Sequence, residues 1–209
     1  MADGPASFLF HDYESFGARP RVDRPSQFAA VRTDAELNEI DEPIAFHCQP
    51  TRDVLPDPDA CLITGITPQI AQRDGLPEPE FFARVHEAMT VPGSCALGYN
   101  SIRFDDELTR HGLWRNFFPP YDREWRNGCS RWDLIDPLRA AYALRPQGMD
   151  WPARDDGAPS FRLEHLTAAN GIDHAGAHDA LVDVRATLAL ARRMRGAQPK
   201  LWQFLLTHR

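Results

Sequence analysis

The sequence predicts one α/β domain, a mixed sheet combining an antiparallel meander with parallel strands and flanked by helices. Three observations carry this reading. Three strand-patterned segments crowd into the first fifty residues, as in a meander. A further strand pattern at 95–99 lies between two helical segments. From residue 101 onward the 209-residue chain reads mostly as helix, closing on a long amphipathic one.

Taken in order, 7–10 continues into HDYES as the first strand, with Phe8 and Phe10 on one face. QFAAVR (27–32) and IAFHCQ (44–49) follow, separated by a polar turn at 33–42. A Pro/Asp-rich loop at 55–59 leads to LITGIT, where Thr67 suits an N-cap and Pro68 the first helical position. Residues 78–90 place Phe81, Phe82, Val85 and Met89 at helical spacing. After the 95–99 strand, a helix is expected over 101–117 with Asn100 as its cap, and Trp114 and Phe117 have the spacing of core residues. Residues 119–131 read as a loop, 132–144 as helix, 145–159 as loop, and 161–170 as a short helix that Gly171 ends. The last long helix, about 179–194, carries a stripe of Leu181, Val184, Leu188 and Ala191. This order suits a ribonuclease H-like domain over 1–209, with its core at about 7–204 and a linker beginning at 205–209.

Composition excludes several classes. No apolar run approaches the roughly 20 residues of a membrane span. The N-terminus lacks a basic segment before its short apolar stretch, so no secretory signal is expected. Cys48, Cys61, Cys95 and Cys129 form no C-x-x-C pair, which fits reduced thiols in a cytoplasmic protein, with Cys48 and Cys61 as small buried hydrophobes. His11 and His47 fall in strand patterns and His165 on a short helix, all three suited to structural roles. The net charge of −7 argues against a non-specific nucleic-acid binder. All the excess acid lies in residues 1–102, at −9, while 103–145 and 146–209 each stand at +1.

Three short patterns carry chemistry. In HDYE, Asp12 and Glu14 lie two apart on a strand and share a face, where a divalent cation would relieve their repulsion. For the isolated pattern, a strand end wet by solvent is the better explanation. In GYNSIRFDDE, Asp105 and Asp106 lie in the first turns of a helix, where the macrodipole already favours anions. In HDALVD, His178 and Asp183 are about 140° apart on an ideal helix, so they cooperate only if His178 sits in the preceding loop. From there an imidazole can serve as general base at neutral pH.

Together, D-x-E, N-x-x-x-F-D and H-x-x-x-x-D in this order resemble the DEDDh superfamily of 3′→5′ exonucleases. The resemblance implies a ribonuclease H-like fold and two divalent metal ions held by Asp12, Glu14, Asp105 and Asp183, with His178 as base. Asp106 is the neighbouring alternative to Asp105, but Asp105 directly follows Phe104 and so fits the pattern. Two Mg²⁺ ions, replaceable by Mn²⁺, are implied, one activating water and one relieving charge on the leaving 3′ oxygen. The stretches FLFHDYESFG, RPSQFAAVRTD, LITGITPQ, GYNSIRFDDE, SRWDLID, ALRPQGMDWP and PSFRLEHLT are similar to the exodeoxyribonuclease I family, bacterial enzymes specific for single strands. Members of that family continue into an SH3-like and a helical domain beyond LLTHR.

That resemblance implies removal of 5′-mononucleotides from the 3′ end of single-stranded DNA, in repair and recombination. Arg110, Arg139 and Arg162 are candidates for phosphate contacts, Arg162 first. Tyr121 and Trp125 stand among arginines as a base-stacking surface would require. Glu14 is expected to touch substrate as well as metal. The alternatives are an RNA-directed, oligoribonuclease-like enzyme, a polymerase proofreading subunit, and a catalytically weak single-strand-binding module. The implied partner besides DNA is the C-terminal tail of single-stranded DNA-binding protein, docking partly on Arg145. A monomer without membrane attachment is expected.

Overall fold

The computed structural model describes residues 4–176 and 178–209. Strands β1 (Ser7–Ser15), β2 (Pro25–Thr33), β3 (Ile44–His47), β4 (Ser94–Gly98) and β5 (Ser130–Asp133) form one sheet in the order β3-β2-β1-β4-β5. β1 pairs antiparallel with β2 and parallel with β4, so the ribonuclease H-like mixed sheet is the one found. Its central place follows from its sequence, which is apolar on both faces. Phe8 and Phe10 pack with Val184, Leu188 and Ala191 of helix α8 (Ala180–Ala197), while Leu9 and Tyr13 meet Phe81, Phe82 and Val85 of α3 (Glu78–Met89). Leu108 and Leu113 of α4 (Asp105–Arg115) complete that second layer.

Two short helices, α1 (Pro58–Thr64) and α2 (Pro68–Asp74), follow the meander. Thr67 caps α2 as expected, its hydroxyl accepting from the Ile70 N–H at 3.2 Å. The expected 101–117 helix is broken. A 3₁₀ turn, Ser101–Arg103, precedes α4, and Asn100 lies in left-handed backbone (φ 56°) without capping through its side chain. The reason lies in β5, a strand absent from the expected loop and helix at 119–144. Asp133 at its end accepts the N–H groups of Asn100 (2.7 Å), Ile102 (3.1 Å) and Ile135 (3.1 Å), folding the chain sharply after β4 and starting α6 (Ile135–Leu144). A one-turn helix, α5 (Asp122–Trp125), lies just before β5.

Helix α7 (Leu163–Ala169) ends at Gly171, which takes the left-handed conformation its sequence suggested (φ 64°). Helix α9 (Pro199–Thr207) buries Trp202 against Phe8 and Trp132, with centroids 6.5 and 4.9 Å apart, and also buries Leu206. The packed fold therefore runs through the expected linker start at 205. Trp114 and Phe117 are 70% and 98% exposed, not core: Trp114 lies on an exposed face of α4, and Phe117 falls beyond the helix end in left-handed backbone (φ 65°). Cys48 is buried as expected and Cys61 half-buried. Among the described residues no helix is long and apolar enough to cross a membrane.

Gly112 on α4 allows the helix to lie against α3, since a Cβ there would stand 1.9 Å from the Phe82 ring. Gly112→Ala is expected to cost about 1–3 kcal/mol by overpacking, read as a lowered urea midpoint.

Candidate active site

The acidic residues meet where the central strand ends. β1 delivers Asp12 and Glu14 beside the start of α8, which carries Asp183, and Asp105 opens α4. The N-terminus of α8 is fixed twice. Asp179 accepts from the N–H groups of Leu181 (3.0 Å) and Val182 (3.3 Å), and Gln27, the strand partner of Glu14, accepts from Ala180 N–H at 3.1 Å. His178 sits in the preceding loop in left-handed backbone (φ 71°), as its cooperation with Asp183 requires. Ligand atoms of Glu14, His178 and Asp183 all lie within 4.8 Å of one another.

The electrostatics of this cluster are unfavourable without a cation. Burial first, then the charges of Asp105, Glu14 and Asp183, push the Asp12 carboxyl well above its usual range. Burial, aided by Asp183 and Asp105, raises Glu14 to about 8. Asp105 is also raised to about 8, by burial and then by Asp106 and Asp133. Desolvated like charges hold protons unless a cation neutralises them. This donor set of oxygens, with one imidazole at its edge, fits hard divalent ions.

Asp106 has a different fate. Its oxygens accept from buried Arg123 at 2.8 Å and from Arg131. Burial works to raise its pKa, but Arg123 and then Arg131 hold it below the ordinary range. Asp105 therefore faces the cluster, and Asp106 anchors the helix start. His11, wholly buried beside this ion pair, is lowered to about 4 by burial and then Arg123, consistent with a structural role. His47 is half-buried with Nδ1 3.3 Å from the Ser26 carbonyl, and His165 is exposed with Nδ1 2.8 Å from Ser160 Oγ.

An open cleft of about 990 Å³ runs from Asp12 and Asp183 past Asn100, Arg139, Phe161 and Arg162. Arg162 is exposed, with Glu164 at 3.4 Å, and the Arg139 guanidinium lies 5.9 Å over the Phe161 ring. Arg110 is not brought there. It is held by Glu124 (2.8 and 3.0 Å) and Glu107 (3.0 Å) and lies over Tyr121, in a separate pocket with Trp114. Tyr121 and Trp125 are exposed, and neither is among the residues lining the cleft. Sequence reasoning missed Arg103 and Arg154, which do line it, and His174, whose Nε2 lies 2.5 Å from Asp183 Oδ1. The only signal for His174 was its place in GIDHAGAHD, one imidazole upstream of the expected base.

This sheet and this carboxylate cluster define an exonuclease domain. The chain belongs to the Exonuclease (RNase_T) family, whose sequence model matches residues 9–191. Within that class it is similar to exodeoxyribonuclease I of Escherichia coli (strain K12), 58% identical over 211 residues that take in 100% of this chain and 44% of the relative. Exodeoxyribonuclease I of Haemophilus influenzae is 55% identical over 203 residues, 97% of this chain and 43% of that one. The solved structure of E. coli Exonuclease I in complex with a dA16 oligonucleotide matches with a TM-score of 0.96 over 97% of this chain and 43% of that chain, at 58% identity. A moderately thermophilic Exonuclease I from Methylocaldum szegediense matches with a TM-score of 0.94 at 62% identity, over 98% and 43% of the two chains. The chain thus spans less than half the length of these relatives.

Proposed function

We propose that this chain is the nuclease domain of an exodeoxyribonuclease I-type enzyme, which hydrolyses single-stranded DNA from its 3′ end to 5′-mononucleotides. The observation that carries the reading is the convergence of Asp12, Glu14, Asp105, Asp183 and His178 at one end of an arginine-lined cleft. Similar structures of the E. coli enzyme hold dA16 and dT13 oligonucleotides, and one is a zinc-bound form of its complex with single-stranded DNA. Asp12, Glu14 and Asp183 would hold one divalent ion and Asp105, with Asp12, a second, both Mg²⁺ in use and replaceable by Mn²⁺. Bound ions would supply Lewis-acid polarisation of the phosphate and charge relief for the leaving 3′ oxygen.

The chain's own residues do the rest. His178 accepts a proton on a ring nitrogen from the attacking water, a role suited to an exposed imidazole beside the carboxylates. Arg162 and Arg139 bind phosphate oxygens through their guanidinium forks and set the register of the strand. Arg103 and Arg154, at the same cleft, extend that positive lining. Tyr121 and Trp125, exposed and outside the cleft lining, would stack bases farther along a strand that passes that way. A cytoplasmic monomer acting in repair, and docking of the tail of single-stranded DNA-binding protein near exposed Arg145, complete the proposal. A solved SSB/Exonuclease I structure is among the similar ones.

The test is a time course on a 5′-labelled single-stranded DNA oligonucleotide with Mg²⁺, beside EDTA and an RNA oligonucleotide of the same sequence. A ladder shortening from the 3′ end with DNA and Mg²⁺ alone is expected. Equal or faster loss of RNA would instead favour the oligoribonuclease-like reading, and inertness in every lane would reject nuclease activity for this domain alone.

A further inference from the structure

We propose that His174 is a positioning residue for the nuclease site, holding one oxygen of Asp183 so that the other is presented to the cleft. The inference rests on the reading of Asp183 as a metal ligand. The two histidines of the loop before α8 behave differently. His178 is exposed, whereas the His174 side chain is 8% exposed, with Nε2 2.5 Å from Asp183 Oδ1. An ionised carboxylate only accepts, so Nε2 carries the hydrogen of that bond. The other ring nitrogen is engaged too, with Nδ1 3.2 Å from Thr167 Oγ1. It accepts the hydroxyl's single hydrogen when the ring is neutral. When the ring is protonated it donates to that oxygen, and the hydroxyl donates to a carbonyl of its own helix.

Thr167 is itself fixed. It is fully buried on α7, and its oxygen lies 2.9 and 3.0 Å from the carbonyls of Leu163 and Glu164. A continuous path therefore runs from the last turn of α7 through the imidazole to the first turn of α8. Both ring nitrogens being engaged, neither the ring plane nor the Asp183 rotamer can turn without breaking a bond in a nearly dry setting. Free rotation of Asp183 would otherwise have to be frozen each time a cation bound. Partners of this kind behind a ligating side chain are worth about 10–100-fold in metal affinity or activity.

The experiment compares wild type, His174→Ala, His174→Gln and Thr167→Val in the full chain. Mn²⁺ binding is measured by calorimetry, and thermal unfolding is followed in EDTA. His174→Ala is expected to weaken Mn²⁺ binding about 10–100-fold while its unfolding temperature in EDTA stays close to wild type. His174→Gln, whose amide N–H₂ can reach the same carboxylate oxygen, is expected to restore most of the affinity. Thr167→Val, which keeps shape and removes the anchor of the ring, should lose affinity in the same direction but by less. Should His174→Ala fail to fold, His174→Gln and Thr167→Val decide, by the same ordering. Wild-type Mn²⁺ affinity in a folded His174→Ala, or in Thr167→Val if His174→Ala does not fold, overturns the proposal. So does His174→Gln no better than a folded His174→Ala, which would mean that ring packing and not the hydrogen bond matters. Absence of Mn²⁺ binding by wild type would instead remove the metal-ligand reading itself, and this proposal with it.

Discussion

Asp12→Asn is expected to lower the rate of single-strand hydrolysis by about 10³-fold, the several kcal/mol that metal-assisted charge stabilisation supplies, while making the metal-free protein more stable at pH 8. Both effects have one cause. Asp12 lies among Asp105, Glu14 and Asp183, and burial together with their charges makes its ionisation costly in the fold. Glu14 and Asp105 titrate at about 8 when folded, against the ordinary carboxylate range near 4 when unfolded. Between those limits the folded chain binds more protons than the unfolded one, so stability falls as pH rises, by about 1.4 kcal/mol per pH unit for each proton retained. The contribution is complete below about pH 4 and is lost as pH passes 8. Neutralising Asp12 removes one charge from the cluster, so its benefit grows towards pH 8 and is small at pH 5. Melts in EDTA at the two pH values check this, with about 2–4 °C of unfolding temperature for each kcal/mol recovered. Mn²⁺ should reverse the ranking at pH 8, because only the wild type keeps the full donor set. An equal or lower melting temperature for the variant at pH 8 in EDTA would contradict the electrostatic account.

Much of this site was legible because its carriers are local. Alternation along β1 put Asp12 and Glu14 on the face of Phe8 and Phe10, and the spacing from His178 to Asp183 required a histidine in a loop, where it lies. What escaped depends on partners far away in sequence. β5 is four residues long and exists through pairing with β4, so SRWD read as the edge of a helix. Asn100 has the identity of a cap, but three N–H groups gathered by Asp133 turn its backbone left-handed. Arg110 has the right chemistry for phosphate, yet Glu124, fourteen residues on, claims it twice. Trp114 and Phe117 show the limit of periodicity, which says neither whether a helix face is covered nor where the helix stops. His174 escaped because no spacing rule connects an imidazole to a carboxylate nine residues away across a loop.

Asp106→Ala is expected to cost about 3–5 kcal/mol, the usual effect of removing one partner from a buried ion pair, and to lower the unfolding temperature by about 10 °C. Arg123 is fully buried, and its Nε and Nη1 already lack hydrogen-bond partners among the described residues. Without Asp106 its one remaining carboxylate neighbour among the described residues is Glu124 at 3.5 Å, itself shared with Arg110 and Arg131. Arg123→Met should cost less, because Asp106 keeps Arg131 and the unpartnered guanidinium nitrogens are removed along with the charge. The double variant Asp106→Leu/Arg123→Met is expected to recover most of the loss, and the cycle gives the coupling between the two. Denaturant melts of the four proteins measure it, and a loss below about 1 kcal/mol for Asp106→Ala, the range of an exposed ion pair, would show that the pair is not desolvated. The neighbouring substitution Asp105→Ala has the opposite expected signature, greater stability in EDTA at pH 8 and lost hydrolysis. One residue along the same helix turn separates a carboxylate that anchors α4 from one that the fold holds at a cost, a cost that the proposed cation would offset by letting Asp105 ionise.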